Sequence, residues 1–382
     1  MAYAEGRTFY DADSHIMELP DYLRAHADPA IRDRLPEITT SHAVLGRGED
    51  VAKGGAHSPE HVEELIALGD QLISGPKGYL ALGAFNRDER RTALDQLGFD
   101  RQLVFPTFAA SAAFFAKDPE VMYGGALAHN RAMAEFCADD DRLMGVGAMP
   151  LDDPERSCRE LDIALALGLD AIWVPHRPCG GRSPGHDALD PFWARLAEAG
   201  VPFVLHVGGS PLQLDPAWTN TGRKIPTDWL GGGENVRGKD MGALHHEPEK
   251  FLSTLVLDGV LERHPKLRGG AIELGAGWVP SMLTRLDYIA EIWKKSEPEL
   301  AALTRKPSEQ VREQLAFTPF VYEDVGALIR QSSSDLYLFS SDYPHNEGGR
   351  NPLGRFGRAL EGFDEPALND FYSGNFAQLF GI

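Results

Sequence analysis

Acidic residues and a histidine lie together at the end of a short strand-like run near the N-terminus. The stretch YDADSHIME, residues 10–18, contains Asp13, His15 and Glu18, and each of these side chains can bind a metal ion. Residues two apart in a β-strand point to the same face, so Asp13 and His15 can face one ion. An Asp-x-His pair taken alone is more often hydrogen-bonded structure, and Glu18 also fits the start of a turn and helix. This corner therefore forms a metal site only if distant parts of the chain supply partners.

Three further candidate residues lie at the ends of later strand-like runs. His206 closes PFVLHVG, Glu273 closes LRGGAIEL, and Asp342 lies in FSSDYPH. His206 alone could be a core histidine, and Glu273 alone could cap the next helix. Imidazole and carboxylate groups arriving from different strands are ligands for Zn, Mn or Fe. We therefore predict a site for one or two divalent ions, built from Asp13, His15, Glu18, His206, Glu273 and Asp342, with Glu273, Asp342 and His206 also acting in catalysis.

Four more histidines are candidates for additional ligands or for groups that hold the ligands in place. His176 ends the run DAIWVPH, and His345 follows Asp342 by three residues. His245 and His246 form an adjacent pair before a helical segment. The sequence favours structural or supporting roles for all four.

Strand-like runs alternate with helical segments from residue 100 onward. Helix-length segments such as PERSCRELDIALALG and LDPFWARLAEAG show the 3.6-residue periodicity of amphipathic helices. The alternation predicts parallel βαβ units, and eight runs predict a (β/α)8 TIM barrel of the α/β class. Catalytic groups of such barrels lie at the C-terminal ends of the strands, where the candidate ligands fall. The predicted strands cover residues 8–15, 101–107, 143–151, 170–176, 202–208, 267–274, 315–321 and 335–344.

Two connections are too long to be simple turns. Residues 16–85 follow the first strand and residues 208–247 follow the fifth, and both are rich in Gly and Pro. Both would emerge at the C-terminal end of the barrel, so we interpret them as lids or walls of a substrate pocket. We predict one barrel domain over residues 1–382.

The composition argues for a small-molecule substrate. The 382 residues carry a formal charge of -20, which disfavours nucleic acid and anionic membranes as partners because both would be repelled. Cys137, Cys158 and Cys179 lack CxxC spacing, which fits a reducing compartment. The N-terminus lacks the pattern of a signal peptide, and no apolar run approaches the roughly 18 residues of a membrane helix. We therefore expect a soluble cytoplasmic protein.

Several of these motifs resemble one family. The segments DADSHIMELPDYL, FVLHVGG, LVLDGVLERHPKLRGGAIELGAGWVP and FSSDYPH are similar to those of the amidohydrolase-related proteins that include aminocarboxymuconate-semialdehyde decarboxylase and related benzoate decarboxylases. The resemblance covers nearly the whole chain. It implies that Asp13, His15, His206 and Asp342 bind a catalytic divalent metal, with Asp13 where many relatives have the first histidine of an HxH pair. Glu273 stands where the decarboxylases usually have a histidine that acts as acid or base.

Two catalytic hypotheses follow from these residues. The first is metal-assisted hydrolysis or non-oxidative decarboxylation of a small, carboxylate-bearing substrate, with Asp342 or Glu273 moving a proton. The alternative is a non-haem diiron monooxygenase on the same barrel, which the excess of carboxylates motivates. A third reading, a non-catalytic binding protein, is disfavoured by the intact set of ligands. The oligomeric state is open, although related proteins often form homodimers.

Overall fold

Seven parallel strands form a curled sheet. The computed structural model describes residues 2–38, 48–224 and 236–382. The strands pair in chain order, each with the next, and the C-terminal ends of all seven therefore lie at the same edge. The strands are β1 (Tyr10–Ile16), β2 (Arg101–Pro106), β3 (Leu143–Ala148), β4 (Ala171–Trp173), β5 (Phe203–His206), β6 (Gly269–Ile272) and β7 (Leu315–Phe317).

The predicted eighth strand, residues 335–344, closes the ring without forming a regular strand. It contacts its neighbours through isolated bridges, Phe317 to Tyr337 and Ser14 to Tyr343. The backbone N–H of Phe339 donates to the carbonyl of Phe371 instead of to a strand. Asp342 has a φ of +53°, which lies outside the extended region of a regular strand. The prediction of a (β/α)8 barrel is confirmed, whereas the prediction of eight regular strands was wrong at this last segment.

Helices surround the sheet between successive strands. In chain order over the described residues they are α1 (Tyr22–His26), α2 (Glu49–Gly54), α3 (Pro59–Ile66), α4 (Arg87–Leu97), α5 (Ala109–Phe114), α6 (Pro119–Cys137), α7 (Pro154–Ala166), α8 (Asp190–Ala199), α9 (Pro216–Thr219), α10 (Gly238–Ala243), α11 (His246–Leu257), α12 (Val260–Arg263), α13 (Val279–Trp293), α14 (Pro298–Ala301), α15 (Pro307–Gln314), α16 (Val325–Gln331), α17 (Pro352–Ala359), α18 (Glu365–Asn369) and α19 (Asn375–Phe380). Short 3-10 helices cover Arg32–Arg34, Gly69–Ser74, Gly78–Leu80, Asp187–Leu189 and Ser334–Leu336, and a π turn covers Asp370–Gly374. None of the described helices combines the length and the apolar composition that crossing a membrane requires.

Local sequence signals explain where the crossover helices begin. Asp118 and Asp153 each accept a hydrogen bond from a backbone N–H of the first turn, and each is followed by a proline at the first helical position. This combination satisfies an otherwise unpaired N–H group at the start of a helix. It begins α6 and α7 at the positions that the periodicity indicates.

Alternation along the strands gives the barrel two apolar layers. Met144, Val146 and Ala148 on β3 belong to the same buried cluster as Trp173 and Val204, which is the filling of the barrel interior. Side chains on the other faces of the strands pack against the surrounding helices in a larger cluster of buried apolar residues. The packed interior leaves the C-terminal rim of the barrel as the place for polar chemistry.

The two long connections each begin at this rim. The described parts of the first contain α1 to α3, and those of the second contain α9 and α10. Residues 39–47 and 225–235 of the two predicted insertions lie outside the described residues. Val236, Met241 and Leu244 of the second connection line a cavity beside the candidate site. The role of the two segments as lids stays a prediction.

Asp170, just before β4, makes the stability of the protein depend on pH. Its carboxylate accepts a hydrogen bond from Gly145 N at 2.8 Å, but burial raises its pKa to about 6. The folded chain therefore holds this proton more tightly than the unfolded chain, and its stability falls as pH rises from about 4 to about 6. We expect Asp170→Asn to gain roughly 1–3 kcal/mol relative to the wild type between pH 4 and pH 7. Urea unfolding of both proteins at the two pH values measures this gain, and a constant difference between them contradicts it.

Candidate metal centre

Six acidic and histidine side chains meet at the C-terminal rim of the barrel. Asp13 and His15 project from β1, His206 is the last residue of β5, and Glu273 follows β6 directly. Asp342 and His345 come from the segment that closes the ring. All six are at most 9% exposed in the structure. Chain segments more than 300 residues apart thus supply one cluster.

The distances place the donor atoms in two overlapping groups. Oδ1 of Asp13 lies 3.3 Å from Nε2 of His15 and 3.3 Å from Nε2 of His206. Nε2 of His206 lies 3.3 Å from Oε2 of Glu273. The second group joins His15 and Glu273 to Asp342 and His345, and the donor atoms within each group all lie within 4.8 Å of one another.

Hydrogen bonds on the outer side of the rings fix which nitrogen of each imidazole faces the cluster. Nδ1 of His15 lies 3.2 Å from the carbonyl of Pro106, and Nδ1 of His206 lies 2.9 Å from that of Val207. A carbonyl oxygen only accepts, so each Nδ1 carries a proton and each Nε2 presents a lone pair in the neutral ring. Nε2 of His15 is buried and makes no hydrogen bond of good geometry within the described part of the chain. Lone pairs that face carboxylate oxygens repel them, and a cation bound between them would relieve this repulsion.

His345 is oriented in the same way through Thr107. The hydroxyl of Thr107 donates to the carbonyl of Ile16 at 2.7 Å and lies 2.9 Å from Nε2 of His345. Because the hydroxyl hydrogen is used, Nε2 of His345 donates and Nδ1 faces inward. This nitrogen lies 3.0 Å from Oδ1 of Asp342.

Burial sets the protonation of the cluster. It lowers the pKa of His15 to about 3, so this imidazole is neutral at physiological pH. Burial also raises the pKa of Asp342 to about 6 despite the opposing contact with His345. For Asp13, contacts with His15 and His206 outweigh burial and hold the pKa below its usual range. Neutral imidazoles beside carboxylates are the state in which both groups bind a metal ion.

The backbone is strained at two of the acids. Glu273 and Asp342 both have a φ of +53°, in the left-handed region that non-glycine residues rarely adopt. Such strain persists where surrounding contacts enforce it. Here Glu273 N donates to Thr318 Oγ1 at 2.8 Å, and Asp342 N donates to the carbonyl of Asp13 at 2.8 Å. The two carboxylates are thereby turned into the barrel mouth.

A buried network supports the donors from below. Asp11 accepts hydrogen bonds from the backbone N–H and the hydroxyl of Ser341 at 2.7 and 2.6 Å, and from Gln102 Nε2 at 2.8 Å. Gln102 in turn accepts from Arg90, whose guanidinium also donates to the carbonyl of His15. The network therefore links the backbone of His15 to that of Ser341, which precedes Asp342. Sequence reasoning missed it, although Asp11 stands inside the motif YDADSH.

Glu18 lies outside both donor groups of the described residues. Its carboxylate accepts hydrogen bonds from the backbone N–H groups of Phe108 and Ala109 at 3.0 and 2.8 Å. These groups stand at the start of α5. In this structure Glu18 binds the N-terminus of a helix, a position that favours an anion. Its predicted role as a metal ligand stays a prediction without a geometric argument from the described residues.

The other three histidines differ from His345 in position. His176 is buried, and burial lowers its pKa to about 3. The rings of His245 and His246 contact each other with centroids 4.4 Å apart at the start of α11. None of these three belongs to the donor groups found among the described residues. His345, which the sequence ranked with them, is the one that lies among the donors.

A cavity of about 220 Å³ opens above the cluster. Asp13, Glu273 and Asp342 form its polar floor. Its walls are mainly apolar and include the stacked rings of Phe320 and Tyr322, with centroids 5.2 Å apart. Gly275 permits this arrangement, since a Cβ there would lie 2.8 Å from the ring of Phe320. The cavity fits a small planar molecule with one polar end directed at the donors.

The donor set fits a divalent metal ion. It offers three carboxylates and three imidazoles whose inward atoms are buried, and those of the imidazoles are oriented by hydrogen bonds on the outer side of the rings. Mixed oxygen and nitrogen donors of this kind suit Mn, Fe or Zn. The orphaned Nε2 of His15 is the observation that favours an ion over a purely hydrogen-bonded cluster.

Comparison with known proteins gives this geometry a family context. The family model described as amidohydrolase matches residues 56–382, a range that leaves out β1. The gamma-resorcylate decarboxylase of Rhodococcus jostii is 28% identical over 254 residues, which span 63% of this chain and 70% of that protein. The diiron alternative finds no support here, because the matched family and this relative are an amidohydrolase and a decarboxylase.

Two solved structures show the same fold. An amidohydrolase from Mycobacterium avium subsp. paratuberculosis superposes with a TM-score of 0.72 at 24% identity, over 99% of this chain and 100% of that one. A dihydroxybenzoic acid decarboxylase from Polaromonas sp., with bound manganese and the inhibitor 2-nitroresorcinol, gives a TM-score of 0.61 at 18% identity, over 98% and 97% of the two chains.

Proposed function

Because this chain belongs to the amidohydrolase family, we propose that it is a metal-dependent decarboxylase of a small aromatic carboxylate. The observation that carries the proposal is the set of inward-facing donors under a cavity with an aromatic wall. The named relative supports decarboxylation over hydrolysis, and the manganese in the Polaromonas structure supports Mn as the metal. Asp13, His15, His206 and Asp342 would hold the ion, as the family resemblance implies.

The ion would supply positive charge that attracts the anionic end of the substrate to the floor of the cavity. Phe320 and Tyr322 would hold the ring of the substrate against the cavity wall. We assign the proton transfer to Glu273, which lines the cavity beside Asp13 and Asp342. Its carboxyl group protonates the ring carbon that bears the carboxylate. The bond from that carbon to the carboxylate then breaks, its electron pair returns to the ring, CO₂ leaves, and Glu273 recovers a proton from water.

The direct test combines metal analysis with product analysis. Protein purified without added metal should contain Mn or another divalent ion, and it should release CO₂ from gamma-resorcylate or a related hydroxybenzoate without consuming oxygen. Two Fe per chain together with substrate-dependent oxygen uptake would instead favour the diiron monooxygenase and overturn the proposal. Light scattering on the same preparation tests the predicted homodimer.

Phe320 is expected to determine affinity for the ring of the substrate. An aromatic contact contributes about 0.5–1.5 kcal/mol beyond burial, so Phe320→Ala should raise KM for an aromatic acid by roughly 2- to 13-fold with a smaller change in kcat. Steady-state kinetics measure the two constants separately. Phe115→Ala serves as the control, because Phe115 is 44% exposed and lies outside the cavity lining. Equal KM values for the two variants would remove Phe320 from the substrate site.

A further inference from the structure

The rings of His15 and His345 cannot bind the same metal ion. They are stacked, with centroids 3.9 Å apart and planes only 22° apart. An imidazole binds an ion along its nitrogen lone pair, which lies in the plane of the ring, at roughly 2.0–2.1 Å. Two nearly parallel planes about 4 Å apart do not meet at such a distance from both nitrogens. The rings of His15 and His206 are 63° apart and converge without this conflict.

His345 is nevertheless built as a ligand. Thr107 fixes its Nε2 as a donor, so that Nδ1 faces inward. Nδ1 lies 3.0 Å from Oδ1 of Asp342. Neighbouring donors around an ion with bonds of about 2.1 Å are roughly 3.0–3.4 Å apart, depending on whether the shell is octahedral or tetrahedral. The pair formed by His345 and Asp342 has the spacing of two ligands of one ion.

We propose a second divalent cation site, held by His345 and bridged to the first ion by the carboxylate of Asp342. Oδ1 of Asp342 lies 3.0 Å from Nδ1 of His345 and 3.6 Å from Nε2 of His15, which places it between the two positions. Glu273 lies within 4.8 Å of both donors of the second ion and adds negative charge there. This inference rests on the proposed metal centre.

The charge of the site is compatible with a second ion when an anionic substrate is bound. Before Glu273 takes up the proton that it transfers, the carboxylates of Asp13, Glu273 and Asp342 bring three negative charges into this buried site. One divalent ion leaves one negative charge uncompensated in a low-dielectric environment, where it is costly. A second divalent ion would change the net charge to one positive, which a bound anionic substrate would neutralise.

The test counts bound ions without relying on turnover. Metal-free protein is titrated with MnCl₂ in about 0.2 M KCl, which screens weak binding to the acidic surface, and free Mn(II) is measured by its EPR signal. We expect about two equivalents in the wild type, with the EPR signature of two coupled Mn(II) ions, and about one equivalent with an uncoupled signal in His345→Ala.

Two further variants complete the test. His129→Ala is the matched control, because His129 is equally buried but hydrogen-bonds to Tyr22 and Val146 outside the cluster, and it should keep both equivalents. Thr107→Val removes the hydrogen bond that orients His345 and should weaken the second equivalent by about tenfold or more, even if His345→Ala fails to fold. One equivalent in the wild type overturns the second site alone. No uptake overturns the metal centre as well, and two equivalents in His345→Ala overturn the assignment to His345.

Discussion

His206→Ala is expected to abolish metal binding and turnover together. The variant removes the imidazole from the end of β5, whose Nε2 lies 3.3 Å from both Asp13 and Glu273. Without it the two remaining carboxylates face each other in a buried site, and the first ion loses one of its two nitrogen ligands. We expect metal affinity to fall by more than about 100-fold and kcat/KM by roughly 10⁴-fold.

Metal content after dialysis and kcat/KM with excess Mn measure these two losses. His176→Ala is the matched control, because His176 is buried beside His206 but belongs to neither donor group among the described residues. It should retain metal. If His206→Ala keeps both its metal and its activity, the cluster at the barrel rim is not the active site.

Glu273→Gln is expected to separate proton transfer from metal binding. The amide keeps the size of the carboxylate but cannot donate an acidic proton. If Glu273 moves the proton, kcat should fall by roughly 10²–10⁴-fold while the first ion stays bound through Asp13, His15 and His206. The pH dependence of the residual activity should also lose the ionisation that belongs to Glu273.

Metal analysis and a pH–rate profile of the variant provide the measurements. Glu347→Gln is a suitable comparison, since Glu347 lines the same cavity but is exposed at its rim, and a loss of less than about tenfold is expected there. Loss of the first ion from Glu273→Gln would instead identify Glu273 as one of its ligands. Full activity in Glu273→Gln would assign the proton transfer to another group, with Asp342 as the next candidate.

Strand periodicity predicted the positions of the donors well, because parallel strands bring their C-terminal ends to one rim. Asp13, His15, His206 and Glu273 were identified from the ends of strand-like runs, and the structure gathers them. The same reasoning failed to rank His345. His345 becomes a strong ligand candidate only through its stacking against His15 and its hydrogen bond to Thr107. Neither contact leaves a pattern in the sequence near residue 345.

Glu18 is the opposite case, because the sequence suggests it as a ligand but it lies outside both donor groups of the described residues. Its carboxylate lies three residues after His15 and is of a chemical type that binds metal ions. Its partners in the structure are backbone N–H groups about 90 residues away, at the start of α5. Backbone N–H groups are nearly the same for every residue type, so the sequence does not show which of them will bind a side chain. The buried contacts among Asp11, Gln102 and Arg90 escaped prediction for a similar reason, since they join three elements through single side chains.

The positive φ angles of Glu273 and Asp342 have a practical consequence for engineering. Glycine adopts this conformation without steric cost, and replacing either acid by glycine also removes a buried charge. A library of variants sorted by heat resistance alone, in the presence of a chelator, should therefore enrich glycine at positions 273 and 342 and yield robust but inactive proteins. Any selection for a hardier biocatalyst from this scaffold needs to couple survival to product formation in every round.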